Sequence, residues 1–177
     1  MPPTAEPAFK IILEHPGQML MAAYKNVHVI LWYASADGAA IEALDEATVP
    51  RVREYPSGIS SIHVVLPSTG LPNSAARDGL VRSGKRWAAN LACVGVVIER
   101  KGFWASAMRG AVTGIQLLAP RTFASQVFDS LEQVAEWLPP LHEKRTGVQL
   151  EAAELLSVLR RVRELREVGG DGPPERT

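Results

Sequence analysis

Four histidines, one cysteine and a near-match to a phosphate loop are the residues in this chain whose types could do chemistry. Gly79-Leu80-Val81-Arg82-Ser83-Gly84-Lys85-Arg86 follows the glycine and lysine spacing of a P-loop, but Arg86 stands where a Ser or Thr hydroxyl should reach magnesium. The segment also falls inside a helical repeat instead of following a strand, so it is not read as a nucleotide site. His15, His28, His63 and His142 form no HxxxH, HExxH or Cys-His grouping, the local spacing that a metal needs. His28 and His63 lie in apolar runs that read as strands, where a hydrogen-bonded structural histidine is the economical reading. Cys93 sits in another apolar run, which favours the uncharged thiol and lowers its reactivity. With no Gly-x-Ser-x-Gly elbow and no recognisable carboxylate pair, the residues imply no enzyme, cofactor or metal.

Three surface features invite binding instead. Arg82, Lys85 and Arg86 form a basic stripe suited to an acidic partner or a phosphate, or simply to solvation. Phe103 and Trp104 open a helix near Arg100, Lys101 and Arg109, an aromatic platform beside cations for a ligand or protein. Trp104 also fits the apolar repeat of that helix, which points to core packing. Near the C-terminus, Leu155, Leu159, Val162 and Leu165 share one helical face, to be covered by the chain's own domain, by another protein or by a second copy in a homodimer.

Composition sets the frame. The 177 residues suit one domain with a modest appendage, and 46% hydrophobic residues with only 21% charged rule out wholesale disorder. Nineteen basic and nineteen acidic residues cancel, so there is no global field for nucleic acid or anionic lipid. One cysteine excludes an intrachain disulfide and suits a reducing, cytoplasmic setting. No stretch approaches the roughly 18 apolar residues of a membrane span, so membrane insertion is not expected.

The elements that must position these residues follow from periodicity. Phe9–Leu13 and Met19–Tyr24 read as a hairpin about His15-Pro16-Gly17-Gln18, and Val27–Tyr33 as a central strand apolar on both faces. Asp37 caps a crossover helix carrying Ile41, Leu44 and Thr48, which Pro50 kinks or restarts. Ile59–Leu66 is a strand, Pro67–Asn73 a loop, and Ser74–Leu91 an amphipathic helix. Ala92–Ile98 is a buried strand, followed by a helix from Phe103 in which Ala107, Gly110, Ala111 and Gly114 form a row small enough for close backbone packing. Ser125–Phe128 reads as an edge strand, and Ser130–Gln133 as a capping box opening a helix that Pro139-Pro140 stops. Leu150–Val168 is a last helix, ahead of a loose tail. This order predicts an α/β fold, with a mainly parallel or mixed sheet of about five strands, crossover helices and a C-terminal helix. Its divisions are a domain over 1–142, a helical extension over 143–168 and a disordered tail over 169–177.

This layout resembles the STAS domain, the fold of the sporulation anti-anti-sigma factor and its relatives. The closing stretch is the most similar: Phe103-Trp104-Ala105-Ser106-Ala107-Met108-Arg109 through Leu118, then Val127-Phe128-Asp129-Ser130-Leu131-Glu132-Gln133-Val134-Ala135-Glu136-Trp137-Leu138. In phosphorylated members, an Asp-Ser-Ser/Thr-Gly turn sits where a helix N-terminus favours an anion. The matching region here, Pro67 to Ser74, holds Ser68-Thr69-Gly70 and Asn73-Ser74 without the leading aspartate. The resemblance makes Ser74 the first candidate phosphoacceptor and Ser68 the second; as ordinary residues, Asn73 or Ser74 caps the helix and Ser68-Thr69 turns the chain. It implies a non-enzymatic regulatory or scaffold module that binds a protein partner, with serine phosphorylation as a switch. The alternative is a sensor of a lipid-like or nucleotide small molecule, with its pocket near Trp104.

Overall fold

The computed structural model describes residues 7–99, 102–118 and 122–166, and within them the chain adopts an α/β fold. Strands β1 (Lys10–His15), β2 (Met19–Tyr24) and β3 (Val27–Trp32) pair antiparallel. From β3 the sheet turns parallel, through β4 (Ile59–Val65), β5 (Leu91–Ile98) and β6 (Ala124–Phe128). Six strands therefore stand where about five were expected, and three of the five pairings are parallel.

Spatial order equals chain order, β1 to β6, and this dictates where the helices lie. Crossovers between neighbouring parallel strands are right-handed, so successive crossovers that advance in one direction put their helices on one face. Helices α1 (Gly38–Glu54), α2 (Ser74–Trp87) and α3 (Phe103–Leu118) are those crossovers. The opposite face is left to α4 (Leu131–Thr146) and α5 (Ala152–Glu164). The central strands β2 and β3 are buried along their whole length, as a sheet covered twice requires.

Strand alternation divides the core. Val29, Leu31, Ile62, Val64 and Val97 point to α4 and α5, meeting Leu138, Leu155 and Leu159. Met21, Ile30, Trp32, Val65 and Ile98 point to the crossovers, meeting Ile41, Leu44 and Met108. The apolar face of α5 is thus filled from within the chain: Leu155, Val158, Leu159 and Val162 are fully buried against its own sheet. Of the three covers open to this face, the chain's own domain is the one present, which makes α5 part of the core; Leu165 lies just past the helix and is exposed.

Local signals explain most helix ends. Asp37 accepts from the Ala40 N–H at 2.9 Å, and Asn73 accepts from the Ala76 N–H at 2.8 Å. Ser130 accepts from the Gln133 N–H at 3.3 Å, while the Gln133 side chain accepts from the Asp129 N–H at 2.9 Å, a reciprocal cap one residue wider than a simple box. The stop expected at Pro139-Pro140 is overridden. The two prolines remove helical N–H groups, yet α4 runs on to Thr146 because Leu138, Pro139, His142 and Thr146 are all buried beneath it. Gly147, at φ +75°, ends the helix with its N–H on the Glu143 carbonyl.

Close helix packing occurs at other glycines than the expected row. A Cβ on Gly95 would sit 2.5 Å from a Val134 methyl, so α4 lies tight on β5, and one on Gly79 would sit 3.1 Å from Ile41, where α2 meets α1. At Gly110 and Gly114 a Cβ would meet nothing within 4 Å. The two glycines of the α3 row therefore face open space. The 169–177 tail lies outside the described residues.

Candidate ligand-binding site

Between the crossover helices and the sheet lies a cavity of about 520 Å³, within the size range of small-molecule sites. Its floor is the crossover-facing side of β3, β4 and β5, and its walls are α1, α2 and α3. Among the described residues that line it there is no Asp, Glu, Lys or Arg. Ile30, Leu44, Val65, Leu80, Val96, Val112 and Ile115 supply a hydrocarbon surface, and Trp32 and Trp87 add aromatic walls. The helix α2 contributes Ser83 and Gly84 at positions where a larger side chain would fill the space. Toward the C-terminal end of α3 the lining passes to the exposed residues Thr113, Leu117 and Ser125.

A short polar row crosses this apolar floor. His28 on β3 is paired in register with Ser61 on β4, and His63 follows two residues along the same face. The Trp32 indole donates Nε1–H to Nδ1 of His63 at 3.1 Å, with the rings nearly parallel. That bond leaves the proton of a neutral His63 on Nε2. Burial holds His63 down to about 4, and its remaining accessible surface belongs to the cavity lining. His28 is 1% exposed and makes no hydrogen bond among the described residues; its Nε2 is buried without a partner. Burial, then the charge of Arg51, then His63, lower it to about 3. Arg51 itself does not line the cavity and pairs with Glu54 and the Lys25 carbonyl. Ser61 is buried and its hydroxyl also makes no hydrogen bond among the described residues. The row thus offers two neutral imidazoles and a free hydroxyl, polar groups able to orient a guest but carrying no charge.

The reading of both strand histidines as hydrogen-bonded is met by His63 and not by His28. A third histidine fits it better. On the other face of the sheet, Asn26 donates Nδ2–H to the Gly58 carbonyl, so its Oδ1 accepts Nε2–H of His142 at 2.8 Å. The Nδ1 of His142 then accepts from the Ser60 hydroxyl at 2.7 Å, and Ser60 lies 3.2 Å from the Cys93 sulfur. The set has the residue types of a nucleophilic triad, yet all four side chains are fully buried and none lines the cavity, so they form a polar clasp between the turn before β3, strands β4 and β5, and α4. Burial raises the Cys93 thiol to about 11, which agrees with an unreactive core cysteine.

The binding residues read from the sequence are scattered around this site. Trp104 is half-buried against the crossover-side core and does not line the cavity; the tryptophans that do are Trp32 and Trp87. Phe103 is 91% exposed. Arg109 is tied to Asp129 and to the Ile98 carbonyl, which fixes α3 over the end of β5. Arg82, Lys85 and Arg86 lie on the exposed side of α2, where Arg86 packs over the Trp87 ring and faces Asp45 at 3.7 Å. The near-P-loop is helical throughout, inside α2. Ser74 is the first residue of α2 and Ser68 donates to the Tyr33 carbonyl; both are exposed. Among the described residues no group of three potential ligands could hold a metal ion, and no helix is long and apolar enough to cross a membrane.

No family model and no curated protein matches this chain.

Proposed function

We propose that this protein is a STAS-like sensor module that holds an apolar small molecule between its sheet and crossover helices and performs no turnover. The single observation that carries this reading is the cavity of about 520 Å³ with no charged side chain in its lining. A void of that size lined by Leu, Ile and Val forfeits packing contacts that a well-filled core would keep, and an apolar guest restores them. Bound ligand would be reported through α2 and α3, which line the cavity on one side and present Ser74, Arg82, Lys85 and Phe103 on the other. In that arrangement the cytoplasmic protein partner and the serine switch become the output of the sensor, docking on the Ser68–Ser74 loop and the exposed side of α2.

The test is titration with N-phenyl-1-naphthylamine, a fluorophore that brightens in apolar surroundings, against the native chain and a Val94→Phe variant. Val94 lines the cavity from β5, and the larger ring occupies the guest's space. Saturable binding that weakens at least tenfold in the variant, with circular dichroism unchanged, supports the sensor. Equal binding by both proteins, or none by either, rejects it.

A further inference from the structure

We infer that the cavity selects an uncharged, hydrocarbon-rich molecule bearing one acceptor oxygen, such as a ketone or ester, and seats that oxygen on the Ser61 hydroxyl and Nε2–H of His63. This rests on the sensor reading and adds the chemical class of the ligand.

The argument begins with what the lining lacks. An ion moved from water into this space would find no opposite charge among the described lining residues, and an unpaired buried charge is the most costly group a protein can hold. A carboxylate or ammonium head group seated at the polar row is disfavoured for that reason. A pure hydrocarbon is disfavoured too, because it would leave the polar row covered and unpaired.

The tautomer of His63 supplies the direction. Its Nδ1 is occupied by the Trp32 indole, so the only polar atom it can turn to a guest is Nε2–H, a donor. Ser61 stands two residues away on the same face of β4, and its hydroxyl is able to donate. Two donors on one strand face, both lining the cavity, suit an acceptor oxygen, and neither brings a charge. His28, opposite Ser61 in register and unpartnered at Nε2, closes the row on the β3 side. The parallel Trp32 ring limits rotation of His63, so the donor is set before the guest arrives.

The experiment displaces N-phenyl-1-naphthylamine from the native chain with three twelve-carbon competitors at pH 7.5: 2-dodecanone, dodecanoate and dodecylammonium. The ketone should displace the dye at concentrations at least tenfold below either ion. In Ser61→Ala the affinity of the ketone relative to that of the dye, both measured in the variant, should fall by roughly two- to tenfold, the range of one neutral hydrogen bond. His63→Phe, which keeps a ring beside Trp32, should do the same. Dodecanoate or dodecylammonium competing as well as the ketone overturns the inference and leaves the sensor standing. A ketone-to-dye affinity ratio unchanged in both variants also overturns it. Failure of the dye to bind the native chain removes the sensor reading and this inference with it.

Discussion

Trp32 and His63 form one unit: the indole N–H sits 3.1 Å from Nδ1 of the imidazole, the ring centroids are 6.3 Å apart, and the planes differ by 7°. The two residues lie on neighbouring parallel strands, Trp32 on β3 and His63 on β4. A sheet position facing the cavity is thereby given a fixed hydrogen-bonding polarity.

Removing the indole donor should release that polarity. Trp32→Phe keeps an aromatic wall and deletes the N–H, leaving Nδ1 without its partner; the expected cost is about 1–3 kcal/mol. Nitrogen NMR of the native protein should show His63 protonated at Nε2 alone. A native spectrum with the proton on Nδ1 contradicts the assignment.

Acid should weaken the fold early. His28, His63 and His142 are held at about 3, 4 and 4 in the folded chain, all principally by burial, whereas unfolded histidine titrates near 6.5. Between these values the unfolded state binds more protons, so stability is full above about pH 6.5 and falls as pH drops toward 4. Three such groups give a slope approaching about 4 kcal/mol per pH unit at its steepest. Urea midpoints that stay level from pH 7 to pH 5 would refute the burial of neutral imidazoles.

Glycine substitutions should split by sign. Gly95→Ala drives a methyl into Val134 and is expected to destabilise by about 1–3 kcal/mol. Gly110→Ala and Gly114→Ala meet open space in a helix and should each stabilise by up to about 1 kcal/mol. Thermal unfolding of the three variants checks this; a destabilising Gly110→Ala would mean that α3 carries a contact on that side.

The clasp around His142 should be felt through Ser60. Ser60→Ala leaves the buried Nδ1 of His142 without a donor, at an expected cost of about 1–3 kcal/mol. Cys93, raised to about 11 and fully buried, should react with an aromatic disulfide at pH 8 only as fast as the chain opens. Rapid stoichiometric labelling of the native protein would show that the clasp is open to solvent.

Most of the architecture was legible because it is written in period. Val29 and Leu31 alternate with Ile30 and Trp32, so one short run already announces two covered faces. Caps at Asp37, Asn73 and Ser130 were legible because each is a local hydrogen bond. Pro139-Pro140 misled because tertiary burial at His142 and Thr146 outweighs a local stop. The cavity was hidden for a different reason. It depends on how far α2 and α3 stand from the sheet, a distance between elements that no single element encodes. Its trace was present in His28, Ser61 and His63, polar residues on strand positions that face the core, beside Ser83 and Gly84 on the opposing helix.

The order of synthesis acquires a meaning from the place of α5. Leu20, Val29 and Leu31 wait for Leu155 and Leu159 to be made more than a hundred residues later, and Arg161 then pins the start of the chain through Phe9 and the Pro7 carbonyl. Helix α4 covers part of that face first, so α5 is the element whose late arrival completes the burial of strands made at the outset.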